Sequence, residues 1–334
     1  MRYQSAQDLK SEVARRVIDR MPTGRRAAAS LGVPGGRIDD VDARQPTLAV
    51  GIVPGKGDRS LIAVRVQRSG LYEQGAVEEI TRMAAGEVDV RYIGVVSKHV
   101  TPAFLRARHR PTLIGSSIAH FRVTAGSLTG AVELVGGNAI RLLSCNHILA
   151  DENRAAEGDS ILQPGPLDGG RRPRDEVATL GRIVALRRNG VNEVDCALGR
   201  PRPGLDIDHV KLTGSGRLMG LKDGPIAVGE VLSKLGRSTG LTDGRVTAVE
   251  LDNLVVSYDI GNLRFDNQIE IEGLGPNPFS RPGDSGALVY TKVGRRAVGM
   301  IFAGSGQGGS NGRGLSFANP IRRVLGLLDA RLSV

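Results

Sequence analysis

From Thr112 onward the sequence repeats one arrangement: a short apolar run, a break at Gly, Pro, Asn or Asp, then another apolar run. The runs are Ser116–Val123, Leu128–Leu134, Ala139–Leu143, Gly181–Leu186, Asp195–Leu198, Pro225–Val231, Arg245–Glu250, Leu254–Tyr258, Gln268–Ile271, Ala287–Tyr290 and Ala297–Phe302. About a dozen strand-length segments in roughly 220 residues, with no long helical period between them, predict an antiparallel barrel or sandwich. The 46 Gly, 16 Pro and 3% aromatic content fit a turn-rich β protein and argue against a helical bundle. One helix is expected at the end, capped by Asn319 with Pro320 at its first position. Ile321, Val324, Leu325 and Leu328 would form its apolar face.

The first 110 residues read differently. Leu9, Val13, Val17 and Ile18 give residues Ala6–Arg20 one apolar helical face, and a polar Gly/Arg-rich linker follows through Ala43. Thr47–Val53 and Leu61–Val66 read as strands around Pro54-Gly55-Lys56-Gly57, Tyr72–Ala85 as a helix and Val88–Val96 as a third strand. This order predicts a small α+β accessory domain over residues 1–110, with the basic stretch Lys98–Arg110 as the boundary to a β domain over 111–334. The Gly-Lys-Gly turn is no phosphate loop, because it leads into a strand and lacks the Gly-Lys-Ser/Thr ending. No titratable cluster marks this region, which leaves packing, self-assembly or binding a regulatory partner as its role. His99 and His109 read as solvated linker residues, and His120 and His209 as structural ones.

The chain carries 45 Lys and Arg against 35 Asp and Glu, a formal charge of +10. These charges are dispersed, without a nucleic-acid-binding motif or aromatic residues to stack on bases, so a basic solvated surface is expected and no specific nucleic-acid partner. Met1–Met21 is charged throughout and resembles neither a secretion signal nor a membrane span, which places the expectation in the cytoplasm. Two cysteines, Cys145 and Cys196, fit that setting as buried thiols, with a disulfide between them the open alternative.

Three segments carry chemistry. Arg281-Pro282-Gly283-Asp284-Ser285-Gly286-Ala287-Leu288 offers a serine on a glycine-rich turn, where backbone N–H groups can meet a developing oxyanion. Arg141–Ala150 puts His147 at the exit of an apolar strand, and Asn192–Leu198 embeds Asp195 in one. A carboxylate buried there needs a hydrogen-bonded partner such as a histidine N–H.

Together they supply base, orienting acid and nucleophile in the order His, Asp, Ser, at separations of 48 and 90 residues. In that order and spacing the chain resembles the trypsin/chymotrypsin-like serine peptidases. Lys234–Val246 is similar to a Gly/Thr-rich stretch of bacterial members, Val298–Gly304 to the strand whose backbone pairs with substrate, and Gly312–Ala318 to the far wall of the specificity pocket. The resemblance covers residues 112–334; the leader bears only a slight likeness to that of plant narrow-leaf-type intracellular trypsin-like proteins.

The resemblance implies a double antiparallel β-barrel and a serine endopeptidase acting on proteins or peptides through an acyl-enzyme, with no metal or cofactor. It makes His147 the general base, Asp195 its orienting acid, Ser285 the nucleophile, and the N–H groups of Gly283 and Ser285 the oxyanion hole. It puts Phe279 at the base of the side-chain pocket, with Phe302, Ala303, Gly304 and Gly314 also lining the substrate site. Without an acid at that base, an apolar or small side chain is the expected substrate residue. Phe302 stands where many members carry a serine beside the aspartate, and Asp284 is expected to pair with an internal arginine or depend on another activation route. Two alternatives remain open at this point: a latent peptidase fold used for binding or scaffolding, and an esterase using the same triad, although the α/β-hydrolases run in the order Ser, Asp, His.

Overall fold

A computed structural model of the chain describes residues 1–20, 48–55, 59–67, 71–93, 96–97, 104–137 and 139–334. The polar linker through Ala43, Lys56 and Gly57 of the glycine turn, and Lys98 and His99 of the expected boundary lie outside the described residues.

The apolar runs build two β layers. An eight-stranded antiparallel sheet takes the order Ala330–Leu332, Gly130–Leu134, Ile140–Ser144, Ala197–Pro201, Glu176–Ile183, Ser160–Leu162, Ser117–His120 and Gly126–Ser127, and curls into a half-barrel. A second set of six strands closes on itself: Val231–Gly236, Gly240–Asp252, Gln268–Gly273, Leu315–Pro320, Ala297–Ser305 and Leu288–Thr291, which returns to the first. Closure leaves those strands no open edge around the ring. Leu232, Val246, Ile271, Val289 and Ala318 are buried together in its core, while Ile118, Leu143, Leu198, Leu288 and Phe302 belong to the larger core that includes the curled sheet. Each such side chain contributes about 1.5–3 kcal/mol on burial. The architecture is the double barrel with a C-terminal helix expected from the strand pattern.

Three local expectations need correction. Asp195 is not inside a strand: it lies in the segment between Val191–Asn192 and Ala197–Pro201, where its backbone N–H is taken by the Asn319 side chain and not by a ladder. Pro225–Val231 is not a strand: the ladder starts at Val231, because Pro225 has no N–H to donate and Gly229 sits at φ +82°, a turn conformation. Asn319 does not cap the last helix. It belongs to strand Leu315–Pro320, and helix Ile321–Leu327 follows with Pro320 at its N-cap and no side-chain cap. The helix does bury Ile321, Val324, Leu325 and Leu328.

Helix α1 (Tyr3–Arg16), strands β1 (Leu48–Pro54) and β2 (Ser60–Val66), helix α2 (Leu71–Met83) and strand β3 (Val88–Tyr92) form the N-terminal lobe. β1 and β2 are antiparallel, β2 and β3 parallel. Val13, Ile18, Leu48, Val50, Ile62, Val64 and Ile80 make a core of its own. Its sheet nevertheless continues into the closed barrel, since β1 pairs with Gly240–Asp252 through Val50↔Asp252 and Ile52↔Val249. Polar groups lock the seam. Arg65 and Glu270, both fully buried, meet in a two-point ion pair at 2.5 and 2.8 Å. Gln67 exchanges two hydrogen bonds with the backbone of Val255, and Lys10 lies 3.0 Å from Asp252. A short strand, β4 (Val96–Ser97), then pairs antiparallel with Gly304 and Ser305.

Candidate active site

His147 occupies the one-turn helix Asn146–Leu149, directly after strand Ile140–Ser144. Its backbone N–H donates to Asp195 Oδ1 at 3.1 Å, and its ring Nδ1 hydrogen-bonds Asp195 Oδ2. A carboxylate cannot donate, so Nδ1 is the donor, which in the neutral imidazole makes Nε2 the acceptor. Nε2 is buried and has no hydrogen-bond partner among the described residues.

Asp195 is fully buried. Burial by itself would raise its carboxyl, but the charge and hydrogen bonds of His147, with a further bond from Tyr258, outweigh this and hold it below the usual carboxylate range. Tyr258 Oη donates to Oδ2 at 2.6 Å. Burial, then the Asp195 charge, pushes the Tyr258 phenol well up, so it remains a donor. The Tyr258 ring meets His147 edge-on at 5.7 Å and stacks on Phe265, which packs against Phe302. Phe302 thus packs, through Phe265, behind the Tyr258 ring whose hydroxyl reaches Asp195. From behind, Asn319 Oδ1 accepts the Asp195 backbone N–H at 2.9 Å while its amide donates to Gln268.

Ser285 stands on the second barrel, at the junction with the first. Ser127 N–H donates to its carbonyl at 2.7 Å, Thr129 Oγ1 donates to the next carbonyl, that of Gly286, and Ser144 Oγ donates to Ser127. A Cβ on Gly286 would fall 2.1 Å from the Ser127 carbonyl oxygen, so the two barrels can approach only because this residue is glycine. The Ser285 hydroxyl donates to the Phe302 carbonyl at 3.4 Å, and no hydrogen bond joins it to His147 Nε2. Gly283 has φ +87°. Among the described residues no oxygen accepts from the N–H of Gly283 or of Ser285.

Asp284 pairs with a lysine, where an arginine was expected. Its carboxylate accepts from the N–H groups of Ser238, Thr239 and Arg281 and from Thr239 Oγ1, with Lys234 Nζ at 3.3 Å. Lys234 is itself fully buried, and burial lowers its pKa against the pull of Asp284. Neighbouring Arg237 forms a buried two-point pair with Asp168 at 2.5 and 2.6 Å. The Lys234–Val246 stretch is therefore the cradle of the serine turn.

The residues expected to form the pocket lie mostly beneath its surface. Phe279 is 1% exposed in the core of the closed barrel, and Phe302 and Ala303 are 1% and 3% exposed. Gly304 is paired with Ser97 of β4. Gly314, at φ +89°, passes so close to Ser305 that a Cβ would lie 1.9 Å from its carbonyl oxygen. A cavity of about 300 Å3 opens instead among their sequence neighbours, including Ser280, Arg281, Pro282, Ser305 and Arg313.

Cys145 and Cys196 are free and buried, and burial raises both thiols well above their ordinary range. Cys145 Sγ, His147 and Asp195 present ligand atoms within 4.8 Å of one another. With Nδ1 committed to Asp195 and the thiol protonated and donating to the Ile301 carbonyl, cation binding would have to break both hydrogen bonds. His120 bonds Asp159, His109 the Phe104 carbonyl, and His209 Ser333. Gly308-Gly309-Ser310-Asn311-Gly312 has the Gly-x-Ser-x-Gly spacing of a hydrolase elbow, but it is a loop feeding strand Leu315–Pro320, with no helix behind Ser310.

No protein-family model and no curated protein matches the chain. Solved structures do. The Nocardiopsis protease NAPase is 19% identical with a TM-score of 0.47, over 66% of this chain and 98% of that one. A glutamic-acid-specific serine protease that uses a histidine triad in substrate binding is 22% identical with a TM-score of 0.47, over 66% and 100%. Cellulomonas bogoriensis chymotrypsin is 20% identical with a TM-score of 0.44, over 66% and 97%. No helix among the described residues is long and apolar enough to cross a membrane. By its own strand pairing the chain has a chymotrypsin-like double-barrel fold.

Proposed function

We propose that this chain is a serine endopeptidase, with the peptidase in residues 111–334 and an accessory lobe in residues 1–110. The observation that carries the reading is the two-point lock between His147 and Asp195, which leaves Nε2 buried and without a hydrogen-bond partner among the described residues. An imidazole held in that tautomer is a general base awaiting a proton. Ser285 would turn its hydroxyl from the Phe302 carbonyl to Nε2, attack the substrate carbonyl and form an acyl-enzyme. His147 would take the serine proton and return it to the leaving amine, with Asp195 stabilising the imidazolium. The uncommitted N–H groups of Gly283 and Ser285 would receive the oxyanion, one such donor being worth about 2.7–4 kcal/mol in the transition state.

A second reading, a latent peptidase, is favoured by two observations: the Ser285 hydroxyl bonds Phe302, and β4 covers the strand edge at Gly304–Ser305. Labelling with a fluorophosphonate probe, alongside cleavage of a peptide library, separates the two. The peptidase reading expects labelling and cleavage that disappear in Ser285→Ala and fall by about 10⁴-fold or more in His147→Ala, since such residues act as a unit. Absence of Ser285-dependent labelling leaves the latent reading, and ester turnover without peptide cleavage would make the chain an esterase.

A further inference from the structure

The cavity beside the serine turn is built from three segments. Ser280, Arg281 and Pro282 immediately precede Gly283, Ser305 prolongs the strand whose Phe302 carbonyl meets the Ser285 hydroxyl, and Arg313 comes from the loop before strand Leu315–Pro320. A substrate carbonyl placed between Ser285 and the Gly283 N–H would have its adjoining side chain beside these walls.

Their chemistry is cationic. Among the described residues no Asp or Glu lines the cavity. The side chains of Arg281 and Arg313 have no carboxylate partner among the described residues, whereas Arg237 has Asp168, Arg245 has Glu272 and Arg323 has Glu193. In its wall Ser280, 6% exposed, shares a 2.7 Å hydrogen bond with buried Ser316. Either hydroxyl can be the donor of that bond, so Ser280 can offer a hydroxyl proton or an oxygen to the cavity. The loop that carries Arg313 is fixed. Glu272 Oε1 accepts from the N–H groups of Ser310 and Asn311, and Asn311 Oδ1 accepts the Arg313 N–H at 2.9 Å. Glu272 is thereby committed, with its other oxygen 3.7 Å from Arg245, and does not neutralise the two guanidinium groups.

Two guanidinium groups without a carboxylate partner among the described residues, beside a serine hydroxyl and with no acid in the lining, complement a carboxylate. We propose that this cavity receives the substrate side chain on the acyl side of the cleaved bond and selects Glu or Asp there. The apolar or small side chain expected from the sequence would leave both arginines without a partner. This proposal rests on the serine-peptidase reading, so its test needs one arm that does not require turnover.

In the first arm, the full chain is given peptide anilides differing only in that residue: Glu, Gln, Ala, Phe or Lys. Glu is expected to exceed its uncharged isostere Gln by roughly tenfold or more in kcat/KM, an advantage that shrinks with added salt because the arginines are exposed. Arg281→Gln and Arg313→Gln, singly and together, should collapse the Glu/Gln ratio; reading the ratio removes any general loss of activity. In the second arm, Ser285→Ala is titrated calorimetrically with product-like peptides ending in Glu or Gln, and tighter binding of the Glu peptide should vanish in the arginine variants. Equal treatment of Glu and Gln in both arms, or a preference for Phe or Lys, overturns the proposal. A binding preference without any cleavage would keep the subsite and reject the peptidase reading instead.

Discussion

Replacing Arg65 by methionine tests whether the N-terminal lobe is structurally part of the closed barrel. Arg65 and Glu270 are 205 residues apart, both fully buried, and joined at 2.5 and 2.8 Å across the seam. Removing one member of such a pair leaves the other charge uncompensated, at a cost of about 3–5 kcal/mol. Arg65→Met strands Glu270 with only the Thr247 hydroxyl at 2.7 Å. Glu270→Leu strands Arg65 less completely, because Asp89, which is partly exposed, lies 2.9 Å away. Arg65→Met is therefore the more damaging single change, and its loss of 3–5 kcal/mol corresponds to a fall in melting temperature on the order of 10 °C. The double variant places two apolar side chains in the same space and should recover most of the loss. The assay is denaturant unfolding of the four proteins in a double-mutant cycle, followed by hydrogen exchange at β1 and at residues 249–252. A lobe that belongs to the barrel loses protection on both sides of the seam together. If Arg65→Met costs less than about 1 kcal/mol, or the double variant is as unstable as the sum of the singles, the argument from buried charge is wrong.

Tyr258→Phe removes a donor to a buried carboxylate and should cost about 1.5–3 kcal/mol at neutral pH. Asp195 is held below the ordinary carboxylate range, so its stabilisation is present above about pH 4 and disappears as pH falls through the lowered value; the Tyr258→Phe difference should shrink over that acid window, and a constant difference would refute the link. Asn319→Ala withdraws the acceptor from the Asp195 backbone and should lower kcat more than it raises KM, measured by peptide hydrolysis; unchanged kcat would make Asn319 a packing residue only. Ser97→Pro, placed to disrupt the β4 ladder against Gly304, should raise kcat/KM for long peptides and leave a small ester unaffected. Equal effects on both substrates would mean that β4 does not compete for the strand edge.

The barrel was legible because turn residues interrupt apolar runs at strand-length intervals, a local signal that each segment carries by itself. Asp195 announced its need for a partner because a carboxylate buried in an apolar segment is costly alone, and His147 meets that need, although the strand begins only at Ala197. Lys234, Tyr258 and Asn319 gave no such warning. Their partners lie 50, 63 and 124 residues away, and neither a hydroxyl at a strand end nor an amide before a proline specifies what it will face. Asn319 even offered a false local use, since Asn before Pro also suits a helix start. The seam between lobe and barrel was hidden for a related reason: β1 reads as a strand whichever neighbour takes its second edge.

The carboxylate of Asp284 already holds four internal donors and a lysine. A fresh amino terminus, made by clipping the chain anywhere, would arrive to find its natural counter-charge occupied. The Ser285 turn is therefore held by residues of its own barrel, and if the proposed peptidase reading holds, control would fall to whatever governs entry into the cleft, such as the β4 pairing at Gly304 and Ser305.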